Sequence, residues 1–439
     1  MERLERRFFV AMRWRGTRQW WVPLAALWAA PGLAGAAQPR AAGGSDAVLG
    51  PVHVARPALG PLVVVREQPE SRLVALRLAV RVEEPPGLEG AARVVVELAR
   101  AQLEAAAAAL GGRASVERTA THAVFRLVGP ADEFERLAAA ILRAAAGPEG
   151  TDVGPSALSP ARIAAQAQAA AELDTPEPLL RTKLMEALFP ELGAASGRGM
   201  DLAELTVERL ARWWGATAAA SRAAVVVAGG VEAAQVVAAF EDWPVRGGRR
   251  GWGRAVAGRR GERAAPVAPT RPPTPQVVTR WLGMGYPASR RDPAVLAVAA
   301  ALLDEELARA GLTGASAELW WTERRLALVL IAPEGPGRKG GHGEGSVRAR
   351  LERVMAAVAE GADAAAVARA RRRAVRDVLF AARSVEGLAE VIGTMLDRTG
   401  EPDAALRFVA ALERVDAHDV ASALRALRVT RPEVVEVAP

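Results

Sequence analysis

Five charged residues recur along one stretch at helical spacing: Glu89, Arg93, Glu97, Arg100 and Glu104, separated by four, four, three and four positions. On a helix this spacing lines up charges of alternating sign on one face. Each pair adds roughly 0.3 kcal/mol, so the stripe reads as an ion-pair ladder. Elsewhere, reactive side chains are thin on the ground. The histidines, His53, His122, His342 and His418, are scattered over the chain without the close spacing of metal ligands. His122 reads as a structural strand residue, and Glu172 as a solvated carboxylate on an exposed helix. There is no cysteine, which excludes disulfides, thiolate catalysis and a lipid on an N-terminal cysteine. No G-x-S-x-G elbow with a histidine partner occurs. The glycine-rich stretch Gly335–Gly345, which carries His342, lacks the G-x-x-x-x-G-K-[ST] phosphate cradle and reads as a hairpin tip.

The chain holding these residues has 439 positions, too many for one ordinary core, so two domains of roughly 150–200 residues are expected. Hydrophobic residues at 51% and charged residues at 24% place it among folded globular chains. Nearly every positive charge is arginine, lysine occurring only at Lys183 and Lys339, which points to base-composition bias. At the N-terminus, Arg3, Arg6, Arg7, Arg13, Arg15 and Arg18 precede an apolar run from Trp20 to Leu33, followed by Ala34-Gly35-Ala36. A basic start, a short apolar run and small residues describe a secretory signal peptide over 1–36. The run is shorter than the ~20 residues that span a bilayer. An uncleaved anchor is the alternative, and either the Sec or the twin-arginine route is open. Without residues 1–36 the chain holds 51 basic and 48 acidic groups, a net +3. That balance and the scarcity of aromatics argue against a nucleic-acid partner.

Hydrophobic periodicity and turn signals give the elements. Residues 37–50 form a flexible lead-in. Strands are expected at 62–66 and 73–82, the second half-buried by its alternation. A helix follows over 88–110, then two strands within 114–128 and a helix from Asp132 to about Ala146. Helices at 159–173, 178–188 and 206–217 precede a buried strand at 223–228 and a helix at 232–240. Seven arginines lie among glycines between Arg246 and Arg263, followed by a run of prolines. This 246–275 stretch reads as a linker, with contact to an anionic membrane surface or an acidic partner as a secondary reading. The order then repeats: a strand at 277–283, a helix at 293–310, a hairpin of 316–321 and 326–331, and helices at 346–360, 363–382, 385–396 and 403–412. Asp416 starts a last helix, and 433–437 closes as a strand. The expected architecture is α+β, with two similar domains, 51–245 and 276–439, each a mainly antiparallel sheet packed against helices.

Two such units joined by a linker resemble the pitrilysin/insulinase family of zinc metallopeptidases, which includes the mitochondrial processing peptidase subunits. The resemblance is carried by Glu84-Pro85-Pro86-Gly87-Leu88-Glu89-Gly90-Ala91-Ala92, Leu110-Gly111-Gly112-Arg113, Thr121-His122 and Asp174-Thr175-Pro176. Ala228-Gly229-Gly230-Val231 and Arg371-Arg372-Arg373 through Ser384-Val385-Glu386-Gly387-Leu388-Ala389 extend it to about 52–438. The first segment resembles the lead into the family's inverted H-x-x-E-H zinc motif. In that register Arg93 falls on the first histidine, Val96 on the general base, Glu97 on the second histidine and Gln168 on the distal glutamate. Zinc hydrolysis needs two histidines, a carboxylate, an open position for water and a base. A guanidinium cannot bind a cation and valine cannot take a proton.

The resemblance also implies an arginine and a tyrosine for substrate in the second domain. Those positions fall on Leu307 and Gly314, with Arg309 nearby. The expectation is therefore a catalytically degenerate member: no metal, no cofactor, exported to the periplasm or envelope, and pairing with an active zinc peptidase of the same family. A stand-alone envelope scaffold is the alternative. An active peptidase with unorthodox ligands is the least favoured reading.

Overall fold

A computed structural model describes residues 48–85, 87–149, 155–192, 202, 205–243, 280–288, 292–334 and 345–437. The expected signal segment, the 246–275 linker and the loop residues 335–344 with His342 lie outside the described residues.

In the first half the elements run β1 (His53–Ala55), β2 (Leu62–Glu67), β3 (Leu73–Arg81), α1 (Ala91–Ala109), β4 (Arg113–Arg118), β5 (His122–Pro130), α2 (Phe134–Ala145) and α3 (Pro155–Asp174). There follow α4 (Pro176–Leu188), α5 (Val207–Thr217), β6 (Ala223–Gly229) and α6 (Ala233–Ala239). The strands form one sheet in the order β1-β2-β6-β3-β5-β4, with β2 parallel to β6 and the other neighbours antiparallel. The second half runs β7 (Arg280–Ala288), α7 (Pro293–Arg309), β8 (Ser316–Trp321), β9 (Leu326–Glu334), α8 (Val347–Gly361), α9 (Ala364–Ala381) and α10 (Val385–Thr399). It ends with α11 (Ala404–Leu412), α12 (Ala417–Arg428) and β10 (Glu433–Val437). Its sheet, β10-β7-β9-β8, is antiparallel throughout.

Side-chain caps fix where many helices start. Thr206, Ser346, Asp363, Ser384 and Asp416 each accept a hydrogen bond from a first-turn amide. Such a cap contributes about 1 kcal/mol by satisfying a donor that has no partner within the helix.

Each half lends a helix to the other. Helix α4 lies against β7 and β10 of the second sheet, and α10 lies against β3 and β6 of the first. Both sheets are therefore covered on both faces. Hence β3, expected to be half-buried, is buried along nearly its whole length. Its Arg77, which alternation places on an outer face, lies beneath α10 at 3% exposure. The same crossing explains β7, which was expected to stop at 283 and runs to Ala288. Gly283, Gly285 and Pro287 look like breakers in sequence, yet the glycines seat α4. A β-carbon on Gly285 would lie 2.5 Å from Leu188 Cδ1.

Gly393 plays the matching part on α10, where a β-carbon would lie 2.5 Å from Arg77 Cδ and 2.6 Å from Nη1. Alanine for glycine inside a helix ordinarily gains up to ~1 kcal/mol. Here Gly393→Ala is expected to lose ~1–3 kcal/mol through overpacking against a clamped arginine, read as a lower urea midpoint. A higher midpoint would mean that Arg77 swings aside freely.

Candidate functional site

The positions singled out by sequence sit at the start of α1. Gly90 precedes the helix with φ of 82°, a left-handed turn with no side chain to cap the amides. Glu84 supplies the cap instead: its Oε1 accepts from the Ala92 amide at 2.8 Å, and its Oε2 lies 3.3 Å from Arg118 Nη2 on β4. Glu89 lies ahead of the helix and accepts from the Gly87 amide at 2.8 Å.

The first six residues of α1, Ala91 to Val96, are all buried. Arg93 is 7% exposed and Val96 only 2%, the latter inside the apolar cluster between the first sheet and its helices. Glu97 is half-buried and pairs with Arg100 at 3.0 Å. The expected ladder is thus corrected: the Glu97–Arg100 rung forms, Glu89 is off the helix, and Arg93 is enclosed. Spacing alone assumed that one face meets solvent, but a helix turn covered on all sides has no solvent face.

Gln168 stands exposed on α3, the helix packed alongside α1. The four positions thus combine an enclosed cation, a core valine, a half-buried carboxylate engaged by arginine and an exposed amide. Zinc would need at least three ligands and an opening for water, and these residues do not fit it. Among the described residues no group of three or more His, Asp or Glu is arranged to hold a metal ion.

The positions implied for substrate contact are no better placed for it. Leu307 is fully buried on α7, in the core of the second half. Gly314 sits in the turn before β8 with φ of +80° and offers no side chain. Arg309 pairs with Glu306 and reaches Glu305 at 3.5 Å along its own helix.

His122 is buried on β5, its Nδ1 2.8 Å from Thr121 Oγ1. Burial pushes its pKa down, against the opposing pull of Asp397, so it stays neutral. This agrees with its reading as a structural residue. His53 lies 3.9 Å from Glu67 on the exposed side of β1, and His418 sits on α12.

Sequence reading missed the densest charge cluster, which joins the two halves. Arg77 Nε lies 3.0 Å from Glu390 Oε2 and its Nη2 2.6 Å from Asp397 Oδ2. Arg126 of β5 grips the same glutamate, with Nε 2.7 Å from Oε2 and Nη2 3.0 Å from Oε1. Arg81 with Glu323 and Arg113 with Glu386 add pairs of the same polarity. From α4, Arg181 meets Glu318 of β8 at 2.6 Å. In each of these pairs the first half supplies the arginine and the second the acid. The one available signal was an arginine within an apolar strand, at Arg77 and again at Arg126.

Burial by itself would raise the Glu390 carboxyl, but Arg77 and then Arg126 override it and hold it well below its ordinary 4.5. A carboxyl depressed in the folded state lends stability that is complete above the unfolded pKa and is lost as pH falls toward the folded one. Stability is therefore expected to fall as pH drops below about 4.5, and Glu390→Gln should flatten that part of the profile in urea titrations. An unchanged slope in the variant would place the acid sensitivity elsewhere.

No family model matches the chain, and no curated protein sequence matches it. Solved structures do match. A protease from Helicobacter pylori superposes with a TM-score of 0.70 at 12% identity, over 89% of this chain and 99% of that one. A chain of complex III2 from Candida albicans gives 0.66 at 11%, over 88% and 95%. A peptidase M16 inactive domain from Pseudomonas fluorescens gives 0.65 at 17%, over 88% and 97%. At such identities the likeness shows the fold: an α+β pair of sheets and helices of the pitrilysin/insulinase (M16) type.

Proposed function

We propose that this chain is a non-catalytic, exported M16-fold subunit that pairs with an active zinc peptidase of the same fold. One observation carries the reading. The residue in the place of the general base is Val96, 2% exposed in an apolar core. A hydrolytic site must admit water beside metal and base, and here packing has closed that space. The enclosed Arg93 next to it adds a fixed positive charge where a cation would have to sit. Export is supported by the basic, apolar and small-residue order of residues 1–36. Pairing is supported by the fold, which also occurs in a chain of complex III2 and in an inactive M16 domain.

The test is to purify the chain together with the H-x-x-E-H proteins of the same genome, neighbouring genes first. A stoichiometric complex whose peptidase activity exceeds that of the active subunit alone is expected. Association with none of them would overturn the pairing. Stoichiometric zinc on the isolated chain, with chelator-sensitive cleavage of peptides, would overturn the non-catalytic assignment.

A second reading, a stand-alone envelope scaffold, is favoured by the substrate positions, where Leu307 is buried and Gly314 bare. Pull-downs that recover envelope components and no peptidase would select it.

A further inference from the structure

Helix α9 carries an exposed stripe whose composition the proposed subunit role does not use. Arg369, Arg372, Arg376, Phe380 and Arg383 follow one another at spacings of three, four, four and three, and all are exposed. That spacing keeps them on one side of the helix and just past its end. Asp377, beside the stripe, is the carboxylate next to it and pairs with Arg373 and Arg376.

Two further arginines of the same helix are already engaged. Arg371 Nη1 donates to the Val415 carbonyl at 3.1 Å, and Arg373 Nη2 lies 3.1 Å from Asp304. They brace α9 against its neighbours and leave Arg369 and Arg372 of the stripe to solvent. Arg369 and Arg372 have no carboxylate partner among the described residues. Arg376 lies 3.5 Å from Asp377, and Arg383 stacks 5.0 Å from the centre of the Phe380 ring. Phe380 itself is 42% exposed, one of the few large apolar side chains on the surface.

These residues border an open cleft of about 860 Å³, whose acidic lining among the described residues is Glu305 and Glu413. Six arginines line it, two of which, Arg371 and Arg373, are engaged within the fold. We propose that this cleft is a docking site for an extended acidic peptide segment of a partner protein, with one apolar side chain seated on Phe380. From Arg369 to Arg383 the stripe runs roughly 20 Å, at 1.5 Å per helical residue. An extended segment of about six residues covers that length. Guanidinium groups suit carboxylates because their forked N–H donors match two oxygens at once.

The shape favours a peptide over an anionic membrane. A concave surface cannot lie flat on a bilayer, and Glu305 and Glu413 would repel a continuous sheet of negative charge. A peptide can place its carboxylates on the arginines and pass those two glutamates with neutral residues. The proposal is independent of whether the partner is a peptidase.

The probe is a fluorescein-labelled peptide of roughly eight residues, mostly glutamate with a central leucine, titrated with the full chain and read by fluorescence anisotropy. Saturable binding is expected, weakened roughly tenfold or more in the Arg369→Glu/Arg372→Glu variant and several-fold in Phe380→Ser. Both changes sit on the surface, and a thermal melt checks that the fold is kept. If the charge reversal melts early, Arg369→Gln/Arg372→Gln should show the same ordering of affinities. Equal binding by the variants and the parent chain would overturn the proposal. So would sensitivity to the arginines without any to Phe380, which would indicate diffuse charge attraction. Binding to phosphatidylglycerol vesicles with none to the peptide would reassign the cleft to a membrane.

Discussion

Arg77→Ala is expected to destabilise the chain by ~3–5 kcal/mol, the range for removing one member of a buried, hydrogen-bonded charge group. The side chain is 4% exposed, and its partners Glu390 and Asp397 are 32% and 11% exposed. Truncation would leave Glu390 held by Arg126 and would remove the Arg77 contact of Asp397. Burial alone lowers the Arg77 pKa, but Asp397 and then Glu390 overcome it and the net shift is upward. The charged form is thus the one the fold stabilises. The loss should appear as a lower urea midpoint. Adding Asp397→Asn to Arg77→Ala should recover part of it, because the second change removes a charge that the first leaves stranded. Strict additivity of the two changes would show that they do not share one network. The location gives this cluster its weight. It fixes α10, a helix of the second half, on the sheet of the first, so weakening it loosens the junction and not merely one sheet.

How much of this was legible in sequence depends on whether neighbours or distant segments decide each feature. Ser346, Asp363 and Asp416 announce helix starts, because capping is settled within four residues. The strands 316–321 and 433–437 were bounded correctly for the same reason: their turn signals are adjacent. Arg77 and Gly285 misled, since each is explained by a helix more than ninety positions away in the chain. Alternation tells which residues differ in polarity along β3. It cannot tell that a helix from the other half will cover the polar side.

The candidate site shows the same division. The substitutions at Arg93, Val96, Glu97 and Gln168 were visible as letters, and the chemistry they forbid followed from side-chain inventory. The enclosure of Arg93 and Val96 was not visible, because the ladder spacing Glu89–Arg93–Glu97 suggested a solvated face. Packing of α1 against α3 and the sheet decided otherwise.

That enclosure makes the fate of a grafted motif a sharp expectation. The quadruple variant Arg93→His, Val96→Glu, Glu97→His, Gln168→Glu writes H-x-x-E-H and a distal glutamate onto α1 and α3. It is expected neither to hold stoichiometric zinc nor to cleave peptides, and to lose ~3 kcal/mol or more of stability. The cost comes mainly from Val96→Glu, which puts a carboxyl into an apolar cluster without a hydrogen-bond partner. Such a group takes up a proton instead of staying charged, and a protonated carboxylic acid is no general base. Val96→Glu alone should therefore account for most of the destabilisation, while Gln168→Glu, on an exposed position, should change stability by less than ~0.5 kcal/mol. Thermal melts and metal analysis on the single and quadruple variants separate these contributions. Tight zinc and turnover in the quadruple variant would mean that only four side chains divide this chain from a working peptidase. Failure with a destabilised α1 would mean that the core has been rebuilt over the site, as expected for a subunit held for its surfaces and not for its chemistry.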